Sequence, residues 1–282
     1  GRSVVKRGAT LAAGAVLAGA GERLRPAMVH LLAAQGCVHP LCHRRVRVAI
    51  VAVGEHLIAP ADAPVLHHER NAANLAVGSL LLGAGGMVHD LGAVAEADFP
   101  RTFERALSAH LVLVLGRLGD EAALTLEDAG FEPTSTGPAI EPGGGPGVGH
   151  GVVRDDDGRV ETHVVVLPLD PTAAVVAASL LVLPLLARLQ GEESPNESPL
   201  RAIWDAPQPA TGPSLRAVPA TLHAGADGRL RARPAVAFGA PDLPDLALAD
   251  GLALFPPGEG PWHGGEVVAF TPFAPWPGRA DG

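Results

Sequence analysis

Tyrosine is absent from this 282-residue chain, cysteine occurs twice, and only 4% of residues are aromatic. Two cysteines, Cys37 and Cys42, cannot staple so long a chain as a disulfide framework. Their Cys-x4-Cys-His spacing, with Pro40 between, is not a standard zinc pattern, and a reducing cytoplasm is the expected location. Clustered positive charge is also lacking. The net charge is −9, and basic residues gather only in short runs, Arg44-Arg45 and Arg229 to Arg233, so the electrostatic footprint of a nucleic-acid surface is missing. The most apolar run, Ala173 to Leu189, is short and interrupted by Pro184, and Ala12 to Ala20 is rich in small residues and broken by glycine. A soluble protein without a signal peptide is expected, although the chain begins with Gly1 rather than Met. Neither a Gly-x-x-x-x-Gly-Lys phosphate loop nor a nucleophile elbow with Ser-His-Asp partners occurs, which leaves NTPase and hydrolase readings without local support.

What is present is material for a core: 47% hydrophobic residues against 18% charged, enough for one large or two modest domains. Glycine (35) and proline (27) are so abundant that their usual punctuation of turns is blurred. Residues 1–44 read as a helical lead-in, opened by Pro26 at N1 and closed by Gly36. From residue 45 to 191 the pattern alternates. Strands are expected at 46–53, 87–91, 110–115 and 163–168, and helices at 70–84, 99–109, about 119–129 and 171–190. Such alternation predicts an α/β fold, a doubly wound and mostly parallel sheet with helices on both faces. Residues 133–151 are expected to form an aperiodic, flexible excursion, and the aspartates 155–157 the tip of a hairpin. Gly191 to Pro199 reads as a polar linker. Beyond it, in 200–275, apolar segments at 215–222, 230–238, 251–255 and 266–271 predict a small C-terminal β-barrel or sandwich.

Two stretches point to a ligand site. Arg47 to Pro60 and Val164 to Ala178 each run as a continuous apolar strand into a loop built on glycine or proline. In an open parallel sheet such loops lie at the carboxyl ends of the strands, where ligands bind. Other clusters read as ordinary surface. Adjacent His67 and His68 point in different directions on a helix or strand, Glu69 favours a helix start, and Asp155 to Asp157 lack the spacing of a calcium loop. His150 reads as a lone surface histidine.

From about Gly8 to Phe273 the chain resembles the C-terminal two-thirds of the MoeA-type molybdopterin molybdenumtransferases, relatives of the gephyrin E domain. The lead-in Gly21 to Gly36 followed by Arg45-Val-Arg-Val-Ala-Ile-Val51 is similar to theirs. Their T-G-D-E-L turn is matched by Val53-Gly-Glu-His-Leu57, their D-S-N by Glu69-Arg-Asn71, their L-G-I-V by Leu91-Gly-Ala-Val94, and their A-D-G-L by Ala249-Asp-Gly-Leu252. Departures fall on polar positions. The family's S-G-G-V-S-V-G-D loop is Leu115-Gly-Arg-Leu-Gly-Asp120 here, without serines. Its K-P-G-K-P loop is the segment from Glu141 to Pro146, without lysines, and its G-L-P-G-N-P is Val166-Leu-Pro-Leu-Asp-Pro171.

The resemblance implies the family's fold and a role in molybdenum cofactor biosynthesis. It also implies a site for molybdopterin or its adenylylated form at Gly54, Asn71, Gly116, Gly119, Pro168, Asp170 and Pro171. Glu55 and Asp120 would be the catalytic and Mg2+-holding carboxylates of a transferase that exchanges adenylate for molybdate. The lost lysines, serines and Asp-Glu pair equally suit a non-catalytic binding or assembly module. The family's N-terminal region is mostly missing here, so a homodimer or a partner supplying that region is the expected assembly.

Overall fold

A computed structural model describes residues 8–145, 147–154, 157–193, 199–235 and 243–274. In chain order it begins with α1 (Pro26–Ala34), β1 (Arg47–Val53), β2 (Leu57–Ile58), β3 (Glu69–Arg70), α2 (Ala73–Gly83) and β4 (Met87–Val94). A 3-10 turn at Glu96–Asp98 leads into α3 (Phe99–Ala106), followed by β5 (Leu111–Leu115) and α4 (Asp120–Asp128). Three further strands follow, β6 (Glu132–Thr136), β7 (Ile140–Glu141) and β8 (Gly149–Arg154), then β9 (Val160–Leu167). One continuous helix, α5 (Pro171–Ala177) and α6 (Leu183–Leu189), is joined by a π-helical stretch at Ala178–Val182. The remainder is β10 (Leu200–Trp204), β11 (Leu215–Ala224), β12 (Leu230–Pro234), α7 (Leu243–Leu248), β13 (Gly251–Phe255) and β14 (Val267–Pro272).

The main sheet has the order β4-β1-β5-β9-β8-β6. Its first four strands are parallel, and β8 and β6 extend it antiparallel. Strands β1, β5 and β9 are apolar on both faces because both faces are covered. Val48, Ile50, Leu113 and Leu167 pack with α2, α5 and α6, while Ala49, Val51, Val112 and Val114 pack with α3 and α4. Helix α3 buries Phe99, Thr102, Phe103 and Ala106, the i, i+3, i+4, i+7 stripe of an amphipathic helix. The doubly wound α/β reading is met.

The Pro171–Leu189 helix is long and apolar enough to cross a bilayer by composition, but half of it is buried inside the molecule, with Ala174, Val176, Val182 and Leu186 in the core. Its wide turn lies just before Pro184, which has no N–H to donate and whose ring crowds the carbonyl four residues back. A π-turn there lets the helix continue through the proline.

The second sheet closes on itself. Its order is β12-β10-β14-β13-β11, and β11 pairs again with β12, giving a five-stranded barrel. Trp204, Phe255 and Phe270 fill it. Strand β7 adds to the outside of this barrel, pairing parallel with Leu215 and Arg216 of β11.

Several expectations need correction. Helix α2 starts at Ala73 rather than 70, because Glu69 and Arg70 form β3 against Leu57 and Ile58. The stretch 133–151 is not an aperiodic excursion: it holds β6, β7 and the start of β8. Every residue of β6 is exposed, so no buried stripe marks it. Strand β10 was not anticipated. The β8–β9 hairpin is present, although Asp155 and Asp156 lie outside the described residues, as do 194–198 of the linker and 236–238 of the expected second barrel segment.

Candidate functional site

Four loops meet at the carboxyl edge of the parallel strands. Strand β1 ends at Val53 and passes to Gly54, whose N–H donates to the Val94 carbonyl at the end of β4 (3.0 Å). Strand β5 ends at Leu115 and passes to Gly116, whose N–H donates to the Leu167 carbonyl at the end of β9 (2.9 Å). Gly116 has φ +133°, and a Cβ there would overlap the Val53 carbonyl oxygen. The loops after β1, β5 and β9 therefore touch through their backbones, as a glycine-built crevice requires.

Helix α5 is set by its own residues. Pro168 and Leu169 close β9, Asp170 caps the helix by accepting from the Ala173 N–H (2.8 Å), and Pro171 takes the first helical turn. Leu169 lies against Gly54, 3.8 Å from where a Cβ would stand. Asn71 is 4% exposed and accepts from the Asn74 N–H (3.3 Å). Asn74, not anticipated from the sequence, is 1% exposed and donates to Asp90 (2.7 Å) and the Gly92 carbonyl (3.1 Å). Its Oδ1 is buried without a partner, a state that costs on the order of 1–3 kcal/mol.

The acidic groups form a relay. Glu55 Oε1 accepts from the backbone N–H of Glu96 (3.0 Å), and Glu96 Oε1 accepts from the backbone N–H of Ala122 (3.1 Å), in the first turn of α4. The Glu96 carboxylate lies so close to Gly119 that a Cβ there would overlap it. The amino end of α4, where free N–H groups and the helix dipole favour a negative charge, is thus occupied by a side chain of this same protein. Asp120 and Glu121 add two further carboxylates in that turn. Glu96 was missed because it precedes α3 in sequence, and nothing local reveals that its side chain reaches α4.

The segment that stands where the family has its K-P-G-K-P loop is packed against its surroundings. Glu141 pairs with Arg216 of the barrel (3.2 Å). Gly144 donates to the Ile140 carbonyl (3.0 Å) and Gly145 to that of Pro138 (3.2 Å). Gly143 lies against α5, where a Cβ would stand 2.7 Å from the Ala173 carbonyl oxygen. Pro146 lies outside the described residues. Among the described residues no three His, Cys, Asp or Glu side chains converge as a metal cage. His56 and His68 meet edge to face at 5.5 Å rather than converging on a common point.

His150 is not a lone surface residue. Its Nε2 lies 2.9 Å from His163 Nδ1, the rings stack at 5.2 Å, and Thr134 closes the row at 2.6 Å from His150 Nδ1. Burial lowers the pKa of both histidines, and the His150 charge lowers that of His163 further. His110 is also lowered, by burial and by Arg47 and Arg44. A lowered folded-state pKa means that the unfolded chain binds the proton more tightly. Stability from these groups is therefore complete above the unfolded value near 6.5 and is lost as pH falls from there through the lowered folded values. Urea midpoints measured at about pH 7.5 and about pH 5.5 should fall with acidification, and His163→Asn should flatten that slope.

No family model matches the sequence, and no curated protein matches it. Solved structures match in fold. Two molybdopterin biosynthesis MoeA proteins from Pyrococcus horikoshii superpose with TM-scores of 0.77 and 0.70, at 24% and 19% identity, over 96% and 93% of this chain. The chain spans 66% and 63% of their lengths, just under two thirds of each. A molybdenum cofactor biosynthesis protein from Pyrococcus furiosus superposes with a TM-score of 0.66 at 20% identity, over 93% of this chain and 81% of its own. With the parallel sheet, the closed barrel and these superpositions together, the chain has the MoeA-type fold.

Proposed function

We propose that this protein serves molybdenum cofactor biosynthesis, in the cytoplasm, by binding molybdopterin or its adenylylated form in the crevice at the carboxyl ends of β1, β5 and β9. The observation that carries this reading is the crevice itself: Gly116 meets the backbone of Val53 and Leu167 at the ends of β1 and β9, and the Leu169 side chain of the Pro168–Pro171 turn lies against Gly54, on a fold shared with proteins named for molybdopterin biosynthesis. Asn71, Gly119 and Asp170 would complete the ligand site in this reading. The chain's own groups supply walls and dipoles. For the transferase version, the Mg2+ it implies must fit the carboxylates present. Magnesium is commonly held by one or two carboxylates together with ligand phosphates, and Glu55 and Asp120 can supply those two, although no protein-only cage exists among the described residues. Bound there, Mg2+ would neutralise pyrophosphate charge while adenylate gives way to molybdate.

A second reading, a non-catalytic binding or assembly module, is favoured by one observation. Glu96 already seats its carboxylate on α4, in the place an anionic ligand would use. Calorimetric titration with molybdopterin and with adenylylated molybdopterin, each with and without Mg2+ and molybdate, separates the two. Micromolar binding that weakens in Glu55→Gln and Asp120→Asn supports the transferase reading. Binding that is unaffected by Mg2+ but tightens in Glu96→Gln supports the silent module, and no binding of either ligand overturns the proposed function.

A further inference from the structure

The opposite edge of the sheet holds a second cavity, of about 580 Å3, framed by the amino ends of β1 and β4 and by the segment that leaves α3. Strand alternation builds its wall. Arg47 and Ala49 share the side of β1 that carries Val51 to α3, and the adjacent strand sets Met87 and His89 in register with them. Leu91, two residues on, continues the apolar floor. Because β4 is the edge strand and α3 ends at Ala106, Met87 and His89 stay exposed.

The charge of this cavity departs from that of the chain. Arg45, Arg47 and Arg105 all line it, with His89 beside them, in a protein of net charge −9. Arg47 donates one hydrogen bond to the Ser108 carbonyl (2.9 Å). Among the described residues, none of the three guanidinium groups has a carboxylate within ion-pair distance. Three like charges beside one concave apolar wall repel one another, and a single anion seated between them relieves that repulsion. Guanidinium forks match the oxygens of phosphate two at a time, and three cations exceed what a monocarboxylate can balance. The floor of Ala49, Met87 and Leu91 suits an apolar body.

We propose that this cavity binds a phosphate monoester carried on a small apolar body. The site is separate from the carboxyl-edge crevice and does not depend on the reading given for it. Calorimetry on the full chain with phenyl phosphate, inorganic phosphate and phenol as probes tests it. Phenyl phosphate should bind saturably, at least about tenfold more tightly than inorganic phosphate, and phenol should not bind. Arg105→Gln and Arg45→Gln, both at exposed positions, should each raise the phenyl phosphate Kd about tenfold, as loss of a charged hydrogen bond does. Arg201→Gln, at an exposed position of β10, should leave it unchanged. If the two cavity variants bind as the parent does, if phenol binds as well as phenyl phosphate, or if millimolar phenyl phosphate gives no saturable heat, the site does not exist. Circular dichroism confirms folding of each variant, and the two arginines provide independent readings should one variant fold poorly.

Discussion

Alanine at Gly116 is expected to destabilise the protein by about 3 kcal/mol, from a positive φ that costs about 1 kcal/mol for a residue with a side chain and an overlap that costs a further 1–3 kcal/mol. The overlap is with the carbonyl oxygen of Val53, which is backbone and cannot rotate away. Gly116 is also held from the other side, since its N–H donates to Leu167. Moving the turn aside therefore disturbs the ends of β1, β5 and β9 together. The urea midpoint should fall with little change in the denaturant slope, and the crevice should lose its ligand. Gly119 makes the contrast informative. The atoms nearest to a Cβ there belong to the Glu96 carboxylate, the far end of a flexible side chain, so Gly119→Ala should release Glu96 from α4 at a small cost in stability. Equal losses for the two variants would refute this account of the crevice.

Phe103→Ala should cost about 3–5 kcal/mol, the range for emptying a buried aromatic site. Phe103 is 1% exposed and Phe99 0%, and their rings lie 5.3 Å apart between α3 and the sheet. Against a total stability of order 5–15 kcal/mol, that is a large fraction. The loss reaches the site because the Glu96–Asp98 turn leads directly into α3. Loosening α3 should free the Glu96 carboxylate from the Ala122 N–H as well as lower the melting temperature. Scanning calorimetry measures the first-order effect. A loss below about 1 kcal/mol would mean that α3 does not carry this face of the core.

The parallel half of the fold was legible because its signals are local. Residues 48–53 of β1, all of β5 and residues 164–167 of β9 are buried and read as unbroken apolar runs, and Pro26, Asp170 and Pro171 mark helix starts by chemistry that needs no tertiary context. The loops after those strands could be located for the same reason. The unread parts depend on contacts between distant segments. Strand β6 exposes every residue, so it has no stripe to read, and β7 is two residues that pair with β11, some 75 positions on. The His150–His163 stack joins neighbouring strands of a hairpin whose register the sequence does not state. Glu96 belongs to α4 in space and to α3 in sequence, so its role emerges only once the two helices share a face.

The pairing of β7 with β11 also bears on modularity. The barrel follows the main sheet in the chain, yet one of its flanking strands comes from inside the earlier segment, between β6 and β8. A barrel excised as the stretch from β10 to β14 would leave the first residues of β11 with a bare edge, open to pairing with another chain. The two sheets are consequently not interchangeable beads on a string. Recombination that swapped one without the other would have to supply a substitute for Ile140 and Glu141, and lineages carrying this fold are expected to inherit both sheets as one unit.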